Sequence, residues 1–291
     1  MVQILGNGLS AGSAFALLAL GFALIFQTTR FFHFAHGAVV TAGAYLTFLF
    51  AVILGWPLWV AAVLAIILAG VLGVLMELGV FRPMRKKGAT PFVLLLASLG
   101  LFVVIQNVIS MIFGDGVKTL RSGVVQEGIP ILGARITPIQ IWTIAIAVIL
   151  FVAVSLFLSR TRMGKAMRAV ANDPELAYVS GIGSDRIILC TFFIGSCLAA
   201  VAAILIALDV DMTPTMGMNA LLMGVVAVII GGVGSVPGAA LGGLLLGLAR
   251  SFGVWQINSA WQDAIAFGIL LLFLLFRPQG FFGKPLRKAQ V

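Results

Sequence analysis

Leu58-Trp-Val-Ala-Ala-Val-Leu-Ala-Ile-Ile-Leu-Ala-Gly-Val-Leu-Gly-Val-Leu-Met-Glu-Leu-Gly-Val80, followed at once by Phe81-Arg-Pro-Met-Arg-Lys-Lys87, is an apolar run closed by a cluster of positive charge. A hydrocarbon core about 30 Å thick is crossed by roughly 20 helical residues, so this run is long enough to span a bilayer. The cluster Arg82, Arg85, Lys86 and Lys87 marks its end as the cytoplasmic one, because positive charge is retained on that side.

Working outward, comparable runs fall at 4–27, 34–54, 92–113, 139–158, 187–208 and 236–254, with shorter ones at 219–232 and 261–276. Transmembrane strands would alternate apolar and polar residues, and runs such as Val225–Ile230 and Leu270–Phe276 do not, so the spans are helices. The chain is 62% hydrophobic and 9% charged, with a mean hydropathy of +1.19. A soluble domain carries near a quarter charged residues, so this balance belongs in lipid and leaves no room for a soluble catalytic domain. The fold class expected is all-α and polytopic, about nine crossings in a single transmembrane domain over 1–291.

Arg160, Arg162, Lys165, Arg168 and Arg186 follow the fifth span, and Arg30 follows the first. Arg277, Lys284, Arg287 and Lys288 follow the last, while Lys118, Arg121 and Arg135 share an opposite loop with Asp115 and Glu127. This alternation sets the C-terminus inside, the N-terminus outside, and requires 219–232 to cross despite its length. The first span reads either as one crossing or as a re-entrant turn at Gly6, Gly8 and Gly12. It reads as a retained membrane helix rather than a signal, since no basic residue precedes its apolar core. The net charge of +9 is explained by these clusters and by anionic headgroups, and nucleic-acid binding is not expected.

Three stretches carry chemistry. The first is the inner loop 160–186, where Asn172 or Asp173 ahead of Pro174 and Glu175 starts a helix that Gly181 ends. Its apolar side, from Leu176, Ala177 and Val179, suits either docking to a partner or lying on headgroups. The second is Ile229-Ile-Gly-Gly-Val-Gly-Ser-Val-Pro-Gly238, where Gly231, Gly232, Gly234 and Pro237 break a regular helix. Such a break either lines a substrate path or makes a tight inner turn. Gly234, Gly238 and Gly242 are spaced for close helix approach. The third is Arg30-Phe-Phe-His-Phe-Ala-His-Gly37, which holds both histidines of the chain. His33 and His36 share one helical face and order a gate or substrate path; two imidazoles alone make no metal site.

Glu77, inside a span, reads as snorkelling to Arg82 rather than relaying protons. Arg250 contacts either a substrate carboxylate or Asp263. Cys190 and Cys197, seven apart on one helix, read as packing residues, too far apart for a disulfide. No phosphate-binding Gly-x-x-x-x-Gly-Lys-Ser/Thr loop and no catalytic constellation stands out. A stand-alone channel or ion-coupled carrier would need embedded carboxylates or a polar filter, and only Glu77 and the histidines offer anything.

The chain resembles the membrane permease subunits of branched-chain amino acid ABC importers, a family that includes urea and amide permeases. The likeness rests on Gly8-Leu-Ser-Ala-Gly-Ser13, Phe34-Ala-His-Gly37, Ala97-Ser-Leu-Gly100 with Gln106-Asn107, Gly164-Lys-Ala-Met-Arg-Ala169, Thr213-Pro-Thr-Met-Gly217, Ile230-Gly-Gly-Val-Gly-Ser-Val-Pro-Gly-Ala239 and Phe276-Arg-Pro-Gln-Gly280. It implies a multi-pass protein of the bacterial cytoplasmic membrane that works with a second permease subunit, two cytoplasmic ATPases and an external solute-binding protein. ATP would then bind the partners and no cofactor would bind this chain, which would itself be no enzyme. The resemblance makes Glu175-Leu-Ala-x-x-x-Gly181 similar to the coupling loop that docks on the ATPase, with Asp173 and Pro174 at its start and Leu176 in place of the usual alanine. The implied cargo is a small polar nitrogen compound, foremost a branched-chain or other amino acid. The expected path residues are His33, His36, Asn107, Thr213 and Thr215; many relatives carry Asn where His33 stands.

Overall fold

The computed structural model describes residues 1–121, 128–131 and 133–283. Glu127, Lys284, Arg287 and Lys288, used above to orient the chain, lie outside the described residues. Helix α1 runs Val2–Thr29, α2 Ala35–Phe48 with a π turn at Leu49–Ile53, and α3 Leu58–Met76. A second π turn, Glu77–Phe81, joins α3 to α4, Arg82–Lys86. Then come α5, Pro91–Phe113, a hairpin of β1, Ile129–Ile131, and β2, Ala134–Ile136, and α6, Pro138–Arg160. Two short helices, α7 Arg162–Asn172 and α8 Pro174–Val179, precede α9, Ser184–Asp209. The chain closes with α10 Met216–Gly231, α11 Val236–Gln256 and α12 Gln262–Phe276.

Among the described residues eight helices are long and apolar enough to cross a membrane, and α10 is a shorter apolar ninth. The starts follow local chemistry. Thr90 and Thr137 cap α5 and α6 through their hydroxyls, with Pro91 and Pro138 next, where a missing N–H costs nothing.

Helix α1 is the axis of the bundle, buried almost continuously from Gly12 to Ile25. It packs on α11 through facing glycines: a Cβ on Gly247 would run into the backbone of Gly12, and one on Gly243 into Ala16. In lipid, where apolar side chains gain little by leaving their surroundings, such close backbone approach is what holds helices together. That packing settles the reading of the first span. Gly8 and Gly12 lie inside an unbroken helix against Leu248 and Leu244, and no re-entrant turn forms.

Charged and polar groups gather at the two ends of the bundle. Arg30 at the end of α1, Arg82 on α4 and Asp185 at the start of α9 gather at one end, where Arg82 donates to Asp185 at 2.6 Å. Gln3, Arg121, Arg135 and Asp211 gather at the other; the Arg135 N–H donates to Gln3 Oε1 at 2.7 Å, and Arg121 meets Asp211 at 3.2 Å.

Glu77 corrects one expectation. Fully buried, it pairs with Arg85, whose Nη1 donates to its carboxylate at 3.0 Å, and not with Arg82. The π turn that begins at Glu77 inserts an extra residue and rotates the helix, which turns Arg82 towards Asp185 instead.

The glycine-rich stretch 229–238 is a tight turn. Gly232 and Gly234 have φ of 110° and 93°, a region costly to side-chain-bearing residues, and Ser235 caps α11 through its hydroxyl. The N–H groups of Phe281 and Phe282 donate to the carbonyls of Ile230 and Gly231, tying the segment after α12 to this turn. Gly238 faces Gly231, and Gly242 faces Ala227. Cys190 and Cys197 are free thiols, and Cys197 Sγ lies 3.5 Å from the carbonyl of Ile66.

Candidate transport site and coupling surface

Two stretches of non-helical backbone enter the bundle. Between α1 and α2 the chain turns back inward: Phe31 and His33 are buried, and the His36 ring stands against Gly21. Gly21 is eight residues before the end of α1, about 12 Å along the helix, so α2 starts at membrane depth. The second stretch, Val210–Thr215, leads into α10. Its 16 residues give about 24 Å of helix, short of the roughly 30 Å core.

The two breaks meet. A Cβ on Gly217 would overlap the carbonyl of Gly37 and the hydroxyl of Thr41. Thr41 Oγ1 lies 3.3 Å from the Gly37 carbonyl and 3.4 Å from that of Pro214, and its single proton is shared between them. An antiparallel backbone pair, Lys118 with Met212, anchors the outer part of the second break at 2.8 and 2.9 Å. Irregular backbone at this depth persists where it is buried in protein or lines a polar path, the arrangement on which many transporters build substrate sites.

The sequence-predicted path residues distribute around this junction. Thr213 and Thr215 sit on the second break with hydroxyls 3.1 Å apart, and Thr215 is exposed. His33 and His36 lie on the other side, ring centroids 6.1 Å apart, fully enclosed. Phe31, Phe81 and Phe192 surround His33, and none of the four imidazole nitrogens has a hydrogen-bond partner among the described residues. Asn107 stands apart, exposed on α5, its amide donating to the Val103 carbonyl at 2.7 Å. Ser98 joins the first break to α5, accepting from the Phe34 N–H at 3.0 Å.

At the basic end, loop 160–186 holds two helices where the sequence suggested one. α7 buries Gly164, Met167 and Val170 and turns Arg162, Lys165 and Arg168 outward. Asp173, and not Asn172, caps α8: its Oδ1 accepts from the N–H groups of Glu175 and Leu176, each at 3.0 Å. Asn172 instead ends α7. At the far end the Gly181 N–H donates to Tyr178 and the Ile182 N–H to Ala177, with Gly181 at φ 81°. That is the paired closure of a helix by a left-handed glycine.

Capping at both ends stabilises a six-residue helix that would not hold alone. The apolar side expected from Leu176, Ala177 and Val179 divides: Ala177 faces inward, while Leu176, Tyr178 and Val179 are 65%, 74% and 83% exposed. Three large side chains presented by so short a helix form an exposed apolar patch with no cover among the described residues.

Arg30 is the residue that sequence reasoning used only for orientation. It takes a left-handed conformation, φ 58°, closes α1 through its N–H to Phe26, and its guanidinium donates to the carbonyl of Ala171 in the last turn of α7. A cation at a helix C-terminus meets the negative end of the macrodipole. Arg30 therefore connects α7 to the axial helix α1; its position, directly after a 28-residue apolar helix, was the available signal.

Comparison with known proteins agrees over nearly the full length. The family described as branched-chain amino acid transport system, permease component, matches residues 4–274. The chain is similar to the high-affinity branched-chain amino acid transport system permease protein BraD of Pseudomonas aeruginosa, 36% identical, covering 98% of this chain and 96% of that one. It is likewise similar to the permease protein LivH of Escherichia coli, at 33% identity over the same shares. Among solved structures, PsaBC from Streptococcus pneumoniae in complex with Fab matches with a TM-score of 0.53 at 12% identity, covering 94% of this chain and 91% of that one, which is a likeness of fold.

Proposed function

The chain belongs to the family of permease components of branched-chain amino acid transport systems, and from that premise we propose that it carries branched-chain amino acids inward as one subunit of an ATP-driven importer. It is a multi-pass membrane permease and not an enzyme. The proposed assembly contains a second permease subunit, two cytoplasmic ATPases that bind the ATP, and an external solute-binding protein. Its place is the bacterial cytoplasmic membrane, with the C-terminus inside.

The supporting observation is the near full-length likeness to branched-chain amino acid permeases, joined to a doubly capped helix that presents Leu176, Tyr178 and Val179 at the basic end. In this reading α8 seats in the ATPase, and closure of the ATPases moves α7 and α8. Arg30 carries the displacement into α1, and the junction of Gly37, Thr41, Pro214 and Gly217 opens and closes a path bordered by Thr213 and Thr215. His33 and His36 pack the hinge of the first break in this scheme, and Asn107 lines the path only where a second permease faces α5.

The test is co-purification with the ATPase subunits. Wild type retains them, whereas Gly181→Pro and Glu175→Lys lose them; retention of assembly and transport in both variants would remove α8 from the account.

A further inference from the structure

The strongest unassigned feature is a cavity of about 440 Å³ at the end of the bundle opposite the coupling surface. The N-terminal half of α1, the start of α6, the last residue of α9, the C-terminal half of α11 and the start of α12 line it. Its polar lining comes from Asn7, Gln140, Asp209, Arg250, Ser251 and Gln262, and its size is that of a small-molecule site.

Two of those residues are charged, with opposite signs. Arg250 is held in place by Nη2, which donates to Gln262 Oε1 and to Asp263 Oδ1, each at 3.0 Å. Its guanidinium carbon stands 5.2 Å above the ring of Phe15, a cation on an aromatic face. That leaves donors: Nε is buried without a partner, and Nη1 makes no hydrogen bond among the described residues. With both Nη2 hydrogens taken by Gln262 and Asp263, Nη1 is the nitrogen left to donate to a ligand carboxylate.

Asp209 supplies the opposite charge. Among the described residues it makes no ion pair within 4.0 Å, while its neighbour Asp211 is taken by Arg121 at 3.2 Å. As the last residue of α9 it stands at the negative end of that helix, which favours a cation beside it.

We infer that this cavity is an outer-face site for a free α-amino acid, with the carboxylate on Arg250 and the ammonium on Asp209. A simple anion would face Asp209 as well as the Asp263 paired with Arg250, and a simple cation would leave the Nη1 donors unanswered; a zwitterion meets both. The apolar part of the wall, Ile4, Phe15, Val254 and Trp255, accepts an aliphatic side chain. The inference deepens the reading of the chain as an amino acid permease and rests on it: the site receives the amino acid at the outer face, ahead of the junction between the two interior breaks.

The experiment measures equilibrium binding of radiolabelled leucine to the complex of both permease subunits with the ATPases in nanodiscs, without ATP or the solute-binding protein, with 4-methylpentanoate and 3-methylbutylamine as competitors. Wild type should bind leucine and be displaced poorly by either half-molecule. Asp209→Asn should weaken leucine at least about tenfold, equivalent to 1.4 kcal/mol, and leave competition by 4-methylpentanoate unchanged. Arg250→Gln should weaken leucine similarly and leave competition by 3-methylbutylamine unchanged. Since Asp209 has no ion-pair partner among the described residues, its variant should fold as wild type and keeps the test decisive should Arg250→Gln unfold.

Unchanged leucine affinity in Asp209→Asn overturns the inference, as does 3-methylbutylamine or 4-methylpentanoate binding to wild type as well as leucine. ATP-driven leucine uptake by the same complexes separates the two readings. Uptake undiminished in both variants removes the site and leaves the permease, whereas leucine binding of the expected pattern without uptake keeps the site and removes the transport reading.

Discussion

The Arg30 guanidinium donates a hydrogen bond to the carbonyl of Ala171, joining the end of α1 to the last turn of α7 across 141 residues of sequence. Arg30 is exposed, so the bond adds little to stability, at most about 1 kcal/mol for such a charge in water. Its role in this account is mechanical. Arg30→Ala should leave the melting temperature close to wild type and ATPase subunits bound, while leucine moved per ATP falls about fivefold; the measurement is coupled uptake and hydrolysis in proteoliposomes.

The doubly capped helix α8 makes a second prediction. Gly181→Val places a β-branched residue at φ 81°, a cost of about 1–2 kcal/mol, and Asp173→Ala removes a cap worth about 1 kcal/mol. Each should weaken ATPase binding about three- to thirtyfold in a pull-down titration, since 1.4 kcal/mol is tenfold. Gly183→Ala is the control, because a Cβ there meets open space and φ is negative.

Buried charge gives a third. Glu77 is fully buried and Arg85 is 20% exposed, so Glu77→Ala strands a largely buried guanidinium. Breaking such a pair costs about 3–5 kcal/mol, and the thermal midpoint of the purified protein should fall clearly. Arg82→Ala, which breaks a partly exposed pair with Asp185, should lower it far less.

The α1–α11 contact gives a fourth. Gly247→Val and Gly12→Val drive side chains into opposing backbone and should abolish recovery of folded protein, whereas Gly100→Ala, with open space beyond, should be recovered as wild type. Detergent-resistant monodisperse yield is the readout.

How much of this was legible in the sequence differs by element. The helices were, because roughly 20 apolar residues between basic clusters leave a chain few alternatives in lipid. Capping at Asp173 and closure at Gly181 were also legible, since both are set by neighbours within a few residues. What the sequence could not supply was rotation and depth. The π turn at Glu77 redirected Arg82 from Glu77 to Asp185, and the stretch Arg30–Gly37, marked in the sequence by its two histidines, gave no sign of the inward return of Phe31–His33. Helix α7 escaped notice because its buried face rests on Gly164, Met167 and Val170, a thin apolar stripe among basic residues. The cavity around Arg250 and Asp209 draws on α1, α6, α9, α11 and α12, and only the folded chain brings those residues together.

The central claim is that ATP hydrolysis at the basic end, received by α8, drives branched-chain amino acids inward through this chain. The most direct measurement is leucine accumulation in proteoliposomes holding the permease with its ATPases and binding protein, comparing wild type with a variant in which Leu176, Tyr178 and Val179 are all changed to Ser. The account predicts ATP-dependent accumulation by wild type and its loss in the variant, with the fold intact. Accumulation by wild type without ATP, or undiminished ATP-driven accumulation by the variant, would contradict it.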